Sequence, residues 1–186
     1  IIESFMILND LKIGLLFTAD PYSKIVDPSD KNTSLLFGDA ASATLINTNP
    51  VFKSKKYKFG TRGEGGDALI SQNRKLSMDG RAVFNFSAIE VPNQILSLLN
   101  ETSMSVDDID YFLLHQGSKY IVDTIASRLK VNKEKVPFNI GSIGNTVSSS
   151  LPLLLNDYLS VASGTRILMS GFGVGLSWAS VIINKV

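Results

Sequence analysis

The chain has 186 residues and a formal net charge of +1, and it contains no Cys and a single His. The lack of Cys excludes disulfides, thiolate metal sites and a cysteine nucleophile within these residues, and one His excludes a multi-histidine metal site. The balanced charge gives no electrostatic reason to expect a nucleic-acid partner or an anionic membrane surface. No apolar run approaches the roughly 20 residues that a membrane span needs, so we expect none.

The first part of the chain combines one helical pattern with apolar runs bounded by turns. Ile1, Ile2, Phe5 and Met6 have the spacing of a helix face, and the first residue is not Met, so we expect the chain to continue a longer protein. The predicted strands here are Ile13–Thr18, Leu35–Asp39 and Ala40–Ile46. We expect the last two to form a tight pair.

Residues 47–79 are polar and rich in Gly and Lys, and they predict surface loops with one short strand at a domain boundary. From residue 80 onward, helical and strand patterns alternate. The expected elements are a helix through Val91–Leu99, a strand Ile109–Leu114, a helix through Ile121–Leu129, a strand Val136–Ile140, a helix Thr146–Leu159, and strands Arg166–Ser170 and Ser177–Ile183. This order predicts an α/β layer with a largely parallel sheet and one antiparallel hairpin.

The only imidazole, His115, directly follows the predicted strand that ends at Leu114. In open α/β sheets, ligands bind beyond the carboxyl ends of the strands, so this position suits a catalytic group. The alternative is a histidine that merely satisfies a backbone partner.

The segment Gly141–Thr146 lies between a predicted strand and a predicted helix. Two glycines allow a sharp turn, Asn145 can present an amide donor, and Thr146 can cap the helix. The alternative is an ordinary loop with a capping residue.

Five segments, taken together and in order, resemble the β-ketoacyl-acyl carrier protein synthase III family. The segments that resemble family motifs are Leu36–Ala43, Met78–Phe84, Leu114–Gln116, Ile143–Pro152 and Gly171–Trp178. They span most of the chain. The resemblance implies a thiolase-like α/β fold built from two similar halves, each with a mixed five-stranded sheet that has helices on its faces. The implied division is a tail of the N-terminal half at 1–60, a connecting loop at 61–79 and the C-terminal half at 80–186.

The resemblance also implies a catalytic set of Cys, His and Asn, in which His115 and Asn145 bind the thioester oxygen of malonyl-acyl carrier protein as CO₂ leaves. An enolate oxygen needs neutral donors that are placed before the charge develops. The family's Cys lies in the first half, upstream of the strand at 13–18, and we expect a missing N-terminal half to hold it. Phe172 matches the aromatic residue beside the acyl site.

The segment after His115 departs from the family pattern P-H-Q-A-N-x-R. Gly117 and Ser118 stand where the family has Ala and Asn, and both are expected to line the substrate site. Tyr120 replaces the Arg that docks the carrier protein, and Lys119 or Arg128 is the expected electrostatic substitute.

The resemblance therefore implies the C-terminal part of a cytoplasmic acyltransferase that performs decarboxylative Claisen condensation in fatty acid or related acyl biosynthesis. Acyl-CoA and malonyl-acyl carrier protein are the implied substrates, with no cofactor, and a homodimer is the implied assembly. Two alternatives remain open: a relative that transfers acyl groups to an O, N or S acceptor, and a non-catalytic half-domain. We expect the fragment alone to be inactive.

Overall fold

A computed structural model describes residues 1–186. The helices are α1 Ile2–Leu8, α2 Lys31–Ser34, α3 Gly80–Glu101, α4 Lys119–Leu129 and α5 Ser150–Asn156. The strands are β1 Ile13–Ala19, β2 Ala41–Asn47, β3 Phe52–Thr61, β4 Leu69–Gln72, β5 Lys75–Met78, β6 Tyr111–Leu114, β7 Arg166–Gly173 and β8 Ser177–Lys185. No helix has both the length and the apolar character that crossing a membrane requires.

The main sheet has four strands in the order β3-β8-β7-β6. Only β6 and β7 are parallel, whereas β8 pairs antiparallel with both β7 and β3. The expected mixed character is therefore confirmed, but the sheet is not largely parallel and has four strands instead of five. Strand β3, residues 52–61, lies in this sheet although the predicted division at residue 60 assigns most of it to the N-terminal half.

The helices cover both faces of this sheet. Strand residues alternate between the faces, so Leu168 packs into the large apolar cluster with α3 and α4, while its neighbour Ile167 packs with Leu154 of α5. Helix α3 forms because Asp79 caps its first turn, accepting from two backbone N–H groups at 3.0 Å, and because Val91, Ile95 and Leu98 repeat along one fully buried face. The core thus fixes the carboxyl end of β6.

Two predicted strands are absent. Residues 35–39 follow α2, and Phe37 makes a single parallel bridge with Asn145 instead of pairing with β2. Strand β2 pairs antiparallel with β1. Residues 136–140 also form no strand. Pro137 has no N–H to donate, and the Asn139 N–H donates to the Gln116 side-chain carbonyl at 2.9 Å instead of to a neighbouring strand.

Two predicted helices also differ in detail. Helix α5 begins at Ser150, after a 3₁₀ turn at Val147–Ser149, so Pro152 falls in its first turn, where a missing N–H costs no hydrogen bond. Pro92 lies in the interior of α3. Thr146 does not act as a side-chain cap, and its buried hydroxyl has no hydrogen-bond partner.

A close backbone approach joins the segment around Phe37 to the loop that precedes α5. Asn145 N–H donates to Leu36 O at 2.9 Å, and Gly38 N–H donates to Asn145 O at 2.9 Å. A Cβ atom on Gly38 would collide with the carbonyl oxygen of Ile143, and Gly144 has a φ of +68°. Both glycines are therefore required by the geometry of this crossing.

We predict that Gly38→Ala lowers the free energy of unfolding by about 1–3 kcal/mol, because the new methyl group meets rigid backbone. Urea titration followed by the fluorescence of the single Trp measures the change. Gly141→Ala is the matched control, since a Cβ atom there meets nothing within 4 Å. Equal stabilities of the two variants would contradict this account of the crossing.

Candidate active site

His115 is positioned by the end of the parallel pair in the main sheet. Its backbone N–H donates to Ser170 O of β7 at 2.8 Å, which continues the ladder one residue beyond β6. The next residues turn away, with Gly117 N–H donating back to His115 O at 3.0 Å. The imidazole is thus held at a carboxyl strand end by the parallel pair β6 and β7.

The imidazole is enclosed by an aromatic ring and a hydroxyl. Phe172 packs against it edge to face, with ring centroids 5.2 Å apart and planes at 88°. His115 Nδ1 lies 2.8 Å from Ser150 Oγ. Desolvation lowers the pKa of His115 from 6.5 to about 4, and a hydrogen bond to the Val147 carbonyl offsets part of this effect. The imidazole is therefore neutral at neutral pH.

Asn145 is held by the backbone crossing with Leu36 and Gly38. Its side chain is 5% exposed, and Oδ1 accepts from Val147 N–H at 2.9 Å. That contact assigns the orientation of the amide, so Nδ2 is the end without a hydrogen bond from the chain. Both N–H groups of Asn145 Nδ2 are therefore free to donate to a ligand.

The loop between Asn145 and α5 is strained and firmly anchored. Val147 is β-branched yet has a φ of +53°, in the left-handed region that such residues avoid. Ser148 N–H donates to Asp20 at 3.1 Å, and Ser149 Oγ lies 2.8 Å from Thr18 Oγ1. These contacts tie the loop to the end of β1, so the surrounding structure holds the strained conformation in place.

His115 and Asn145 line the same cavity, which has a volume of about 370 Å³. Its wall is mostly apolar and includes Phe172, Phe84 and Phe37. An apolar cavity with a few convergent polar groups is the usual form of a small-molecule site. The structure thus brings the two predicted catalytic residues and Phe172 together in one pocket.

Gly117 and Ser118 also line this cavity. The Ser118 hydroxyl serves as the N-cap of α4, accepting from Ile121 N–H at 3.3 Å. A Cβ atom on Gly117 would lie 3.6 Å from His115 Nε2, an ordinary contact distance. Both residues shape the wall beside the imidazole.

Lys119 and Arg128 are exposed on α4 and do not line the cavity. Lys119 forms an i,i+4 ion pair with Asp123 at 3.1 Å, whereas Arg128 has no ion-pair partner. Arg128 is therefore the freer of the two cations for an external partner.

Sequence reasoning assigned no role to two residues at or beside the site. Arg81 lines the cavity and has no ion-pair partner, and the same wall includes Tyr120, whose ring stacks on Phe84 with centroids 4.9 Å apart. Gln116, only 2% exposed, donates to Leu114 O and Pro137 O. The position of Gln116 next to the only His could have indicated its place beside the site. The position of Arg81 at the cavity wall depends on tertiary packing, which the sequence pattern does not show.

No group of three or more His, Cys, Asp or Glu side chains in the structure is arranged to hold a metal ion.

Two family descriptions match this chain. Residues 1–63 match "3-Oxoacyl-[acyl-carrier-protein (ACP)] synthase III", and residues 99–185 match its C-terminal counterpart. The chain belongs to the 3-oxoacyl-[acyl-carrier-protein] synthase III family. Both the recognised resemblance and the thiolase-like fold class are thereby confirmed.

Individual relatives agree with this assignment. The beta-ketoacyl-[acyl-carrier-protein] synthase III of Lactococcus lactis is 35% identical over 92% of the chain, and that of Streptococcus suis is 37% identical over 98%. The chain spans 59% and 62% of these two relatives. A crystal structure of the Aquifex aeolicus synthase III matches with a TM-score of 0.91 and 27% identity, covering 98% of this chain and 61% of that one.

We predict that the partly buried imidazole makes stability depend on pH. The pKa of His115 is about 4 in the folded chain and 6.5 when unfolded, so the unfolded chain binds the proton first as the pH falls. The free energy of unfolding is then lowered by up to about 3 kcal/mol between pH 7 and pH 4, because each tenfold difference in proton affinity corresponds to about 1.4 kcal/mol. Urea titrations across this range measure the slope.

The control for this prediction is His115→Gln, which cannot titrate. Carboxylates contribute equally to the acid sensitivity of both proteins, so the difference between them isolates the imidazole. A difference that stays constant from pH 7 to pH 4 would show that the fold does not lower the pKa of His115.

Proposed function

We propose that the protein containing this chain is a cytoplasmic acyltransferase that joins an acyl thioester to malonyl-acyl carrier protein by decarboxylative Claisen condensation. The observation that carries the proposal is the pairing of His115 and Asn145 in one largely apolar cavity, each with a side-chain nitrogen that makes no hydrogen bond to the chain. The cellular location and the pathway, fatty acid or related acyl biosynthesis, are those that family membership implies.

The role of the two donors follows from the charge that the reaction develops. The bond from the malonyl α-carbon to its carboxylate breaks, CO₂ leaves, and the electron pair passes to the thioester as an enolate. The Asn145 Nδ2–H and an Nε2–H of neutral His115 would stabilise the enolate oxygen. Donors in a site that excludes water act more strongly than in solution and need no reorganisation when the charge appears.

The second half of the reaction needs a group that these residues do not contain. The enolate carbon attacks an acyl thioester, forming the new carbon–carbon bond and releasing a thiolate. The chain has no Cys. We therefore propose that the thiol lies in the part of the whole protein that these residues do not cover. The 186 residues alone are accordingly proposed to be inactive.

An exposed apolar surface on β1 supports the proposal that another part of the protein covers it. Ile13, Leu15 and Phe17 of β1 are 68%, 53% and 69% exposed, although β1 and β2 form only a two-stranded sheet. Such a pair is at best marginally stable in water without other elements against it. We propose the N-terminal half as the cover and a homodimer as the assembly.

The decisive experiment expresses the complete reading frame and assays condensation of acyl-CoA with malonyl-acyl carrier protein. We expect His115→Ala and Asn145→Ala each to lower kcat by about 10²–10³, the usual effect of losing one oxyanion donor. Asn100→Ala, on the exposed end of α3, is the matched control and should leave kcat unchanged. No product from the unsubstituted protein, or full activity of both site variants, would refute the proposal.

A second experiment tests the carrier surface. We expect Arg128→Ala to raise KM for malonyl-acyl carrier protein roughly two- to fivefold without changing KM for malonyl-CoA, because an exposed cation contributes modestly to docking. Lys119 should matter less, since Asp123 already pairs with it. Lys31→Ala is the control for loss of an unrelated exposed cation. Equal effects on both substrates would contradict a docking role.

One observation favours an alternative acceptor. Tyr120, at the position of the family's docking Arg, stacks on Phe84 beside the cavity instead of offering a charge. This arrangement suits a relative that transfers the acyl group to an O, N or S acceptor. Release of labelled CO₂ from malonyl thioester would exclude that alternative. Absence of any acyl transfer by the whole protein would favour the third possibility, a non-catalytic acyl-binding protein.

A further inference from the structure

The side chain of Gln116 bonds to two separate segments of the chain. The residue stands in the turn after β6, and only 2% of it is exposed. Its Nε2 donates to Leu114 O at 2.7 Å and to Pro137 O at 3.3 Å, and its Oε1 accepts from Asn139 N–H at 2.9 Å. One buried amide therefore joins the carboxyl end of β6 to the segment 137–139.

The partners of this amide fix its orientation. Both groups beside Nε2 are backbone carbonyls, which can only accept, and the group beside Oε1 is a backbone N–H, which can only donate. Exchanging the nitrogen and oxygen of the amide would set two carbonyls against an oxygen and one N–H against another. Each hydrogen bond of Gln116 therefore has a single possible direction.

The segment that Gln116 holds leads into Asn145 through one closed turn. The carbonyl of Ile140, which directly follows the bonded segment, accepts from Gly144 N–H at 2.8 Å. Asn145 is the next residue after this turn. Since Gln116 also belongs to the turn that carries His115, its side chain connects the backbone segments of both residues.

We propose that Gln116 is a positioning residue that holds the turn carrying His115 and the segment leading to Asn145 at a fixed separation. Residues 136–140 form no strand beside β6, so the side-chain amide supplies hydrogen bonds that a sheet would otherwise make. A fixed separation matters because a displacement of about 1 Å can lower a rate about a hundredfold. The catalytic meaning rests on the proposed condensation, whereas the link is a property of this chain.

Gln116→Met keeps a side chain of similar length and removes the hydrogen bonds of the amide. Its matched control is Gln94→Met in α3. Gln94 is 6% exposed, and its Oε1 accepts from Ser180 Oγ of β8 at 2.8 Å, so it is a second buried and bonded glutamine. It bonds to neither segment of the proposed link, and it therefore reports the general effect of losing a buried amide.

The first measurement is hydrogen–deuterium exchange of the Asn139 amide, followed by NMR on the ¹⁵N-labelled 186-residue chain. We expect about tenfold faster exchange in Gln116→Met, because the acceptor of this N–H is lost. Gln94→Met should change this rate only as much as it changes exchange elsewhere in the chain. An Asn139 amide that is unprotected in the wild type, or equally protected in Gln116→Met, overturns the proposal.

The second measurement is the condensation assay with the complete reading frame. We expect Gln116→Met to lower kcat roughly ten- to hundredfold with little change in KM, because misplaced donors weaken transition-state binding most. Gln94→Met should leave kcat unchanged. An active wild type with the same kcat in Gln116→Met overturns the proposal. If the wild type forms no product, the proposed function fails, and the exchange of Asn139 still tests the link.

Gln116→Glu gives a readout that loss of structure would not produce. A protonated carboxyl can donate to Leu114 O and accept from Asn139 N–H, whereas the ionised form can only accept and faces two carbonyls. We expect the ratio of its kcat to the wild-type kcat to fall as rising pH ionises the introduced carboxyl. A ratio that stays at one at every pH overturns the proposal, even if Gln116→Met does not fold.

Discussion

The backbone crossing between the segment around Phe37 and the loop before α5 is the constraint on which the site depends. Two hydrogen bonds join Leu36 and Gly38 to the backbone of Asn145, at a separation that leaves no room for a Cβ on Gly38. The crossing fixes the backbone position from which the Asn145 side chain extends. The same loop continues into Ser150, which contacts the imidazole. Hence a contact between segments far apart in the chain positions Asn145 in the cavity and Ser150 against the imidazole.

Burial gives this geometry its chemical character. Because the imidazole is enclosed by Phe172 and the sheet, the pKa of His115 is lowered to about 4 and the ring stays neutral. A neutral donor beside an apolar wall suits a negative charge that exists only during the reaction. The same enclosure makes the chain sensitive to acid, so stability and the proposed catalysis depend on one desolvated group.

The sequence predicted the elements whose patterns are long and strongly periodic, including α3, α4 and strands β6, β7 and β8. It was wrong about β3, which it placed among surface loops although this strand pairs with β8 along ten residues. It predicted strands wrongly where the backbone of an apolar segment hydrogen-bonds to residues far along the chain instead of to a neighbouring strand. Residues 136–140 have strand-like composition, but the Gln116 side chain takes the hydrogen bonds that a strand would make. Residues 35–39 pair through a single bridge to Asn145. Hydrogen bonds to groups far along the chain leave no periodic signal.

The sequence by itself determined the family, through five ordered segments, and it singled out His115 and Asn145, because their residue types stand within those segments. It also determined that these 186 residues hold no thiol. Only the tertiary structure decided that both side chains share one cavity, that Arg81 and Tyr120 stand at its wall, and that Ser150 contacts Nδ1. The physical reason is that burial, pKa and hydrogen-bond partners depend on which segments pack together, and linear order does not specify that packing.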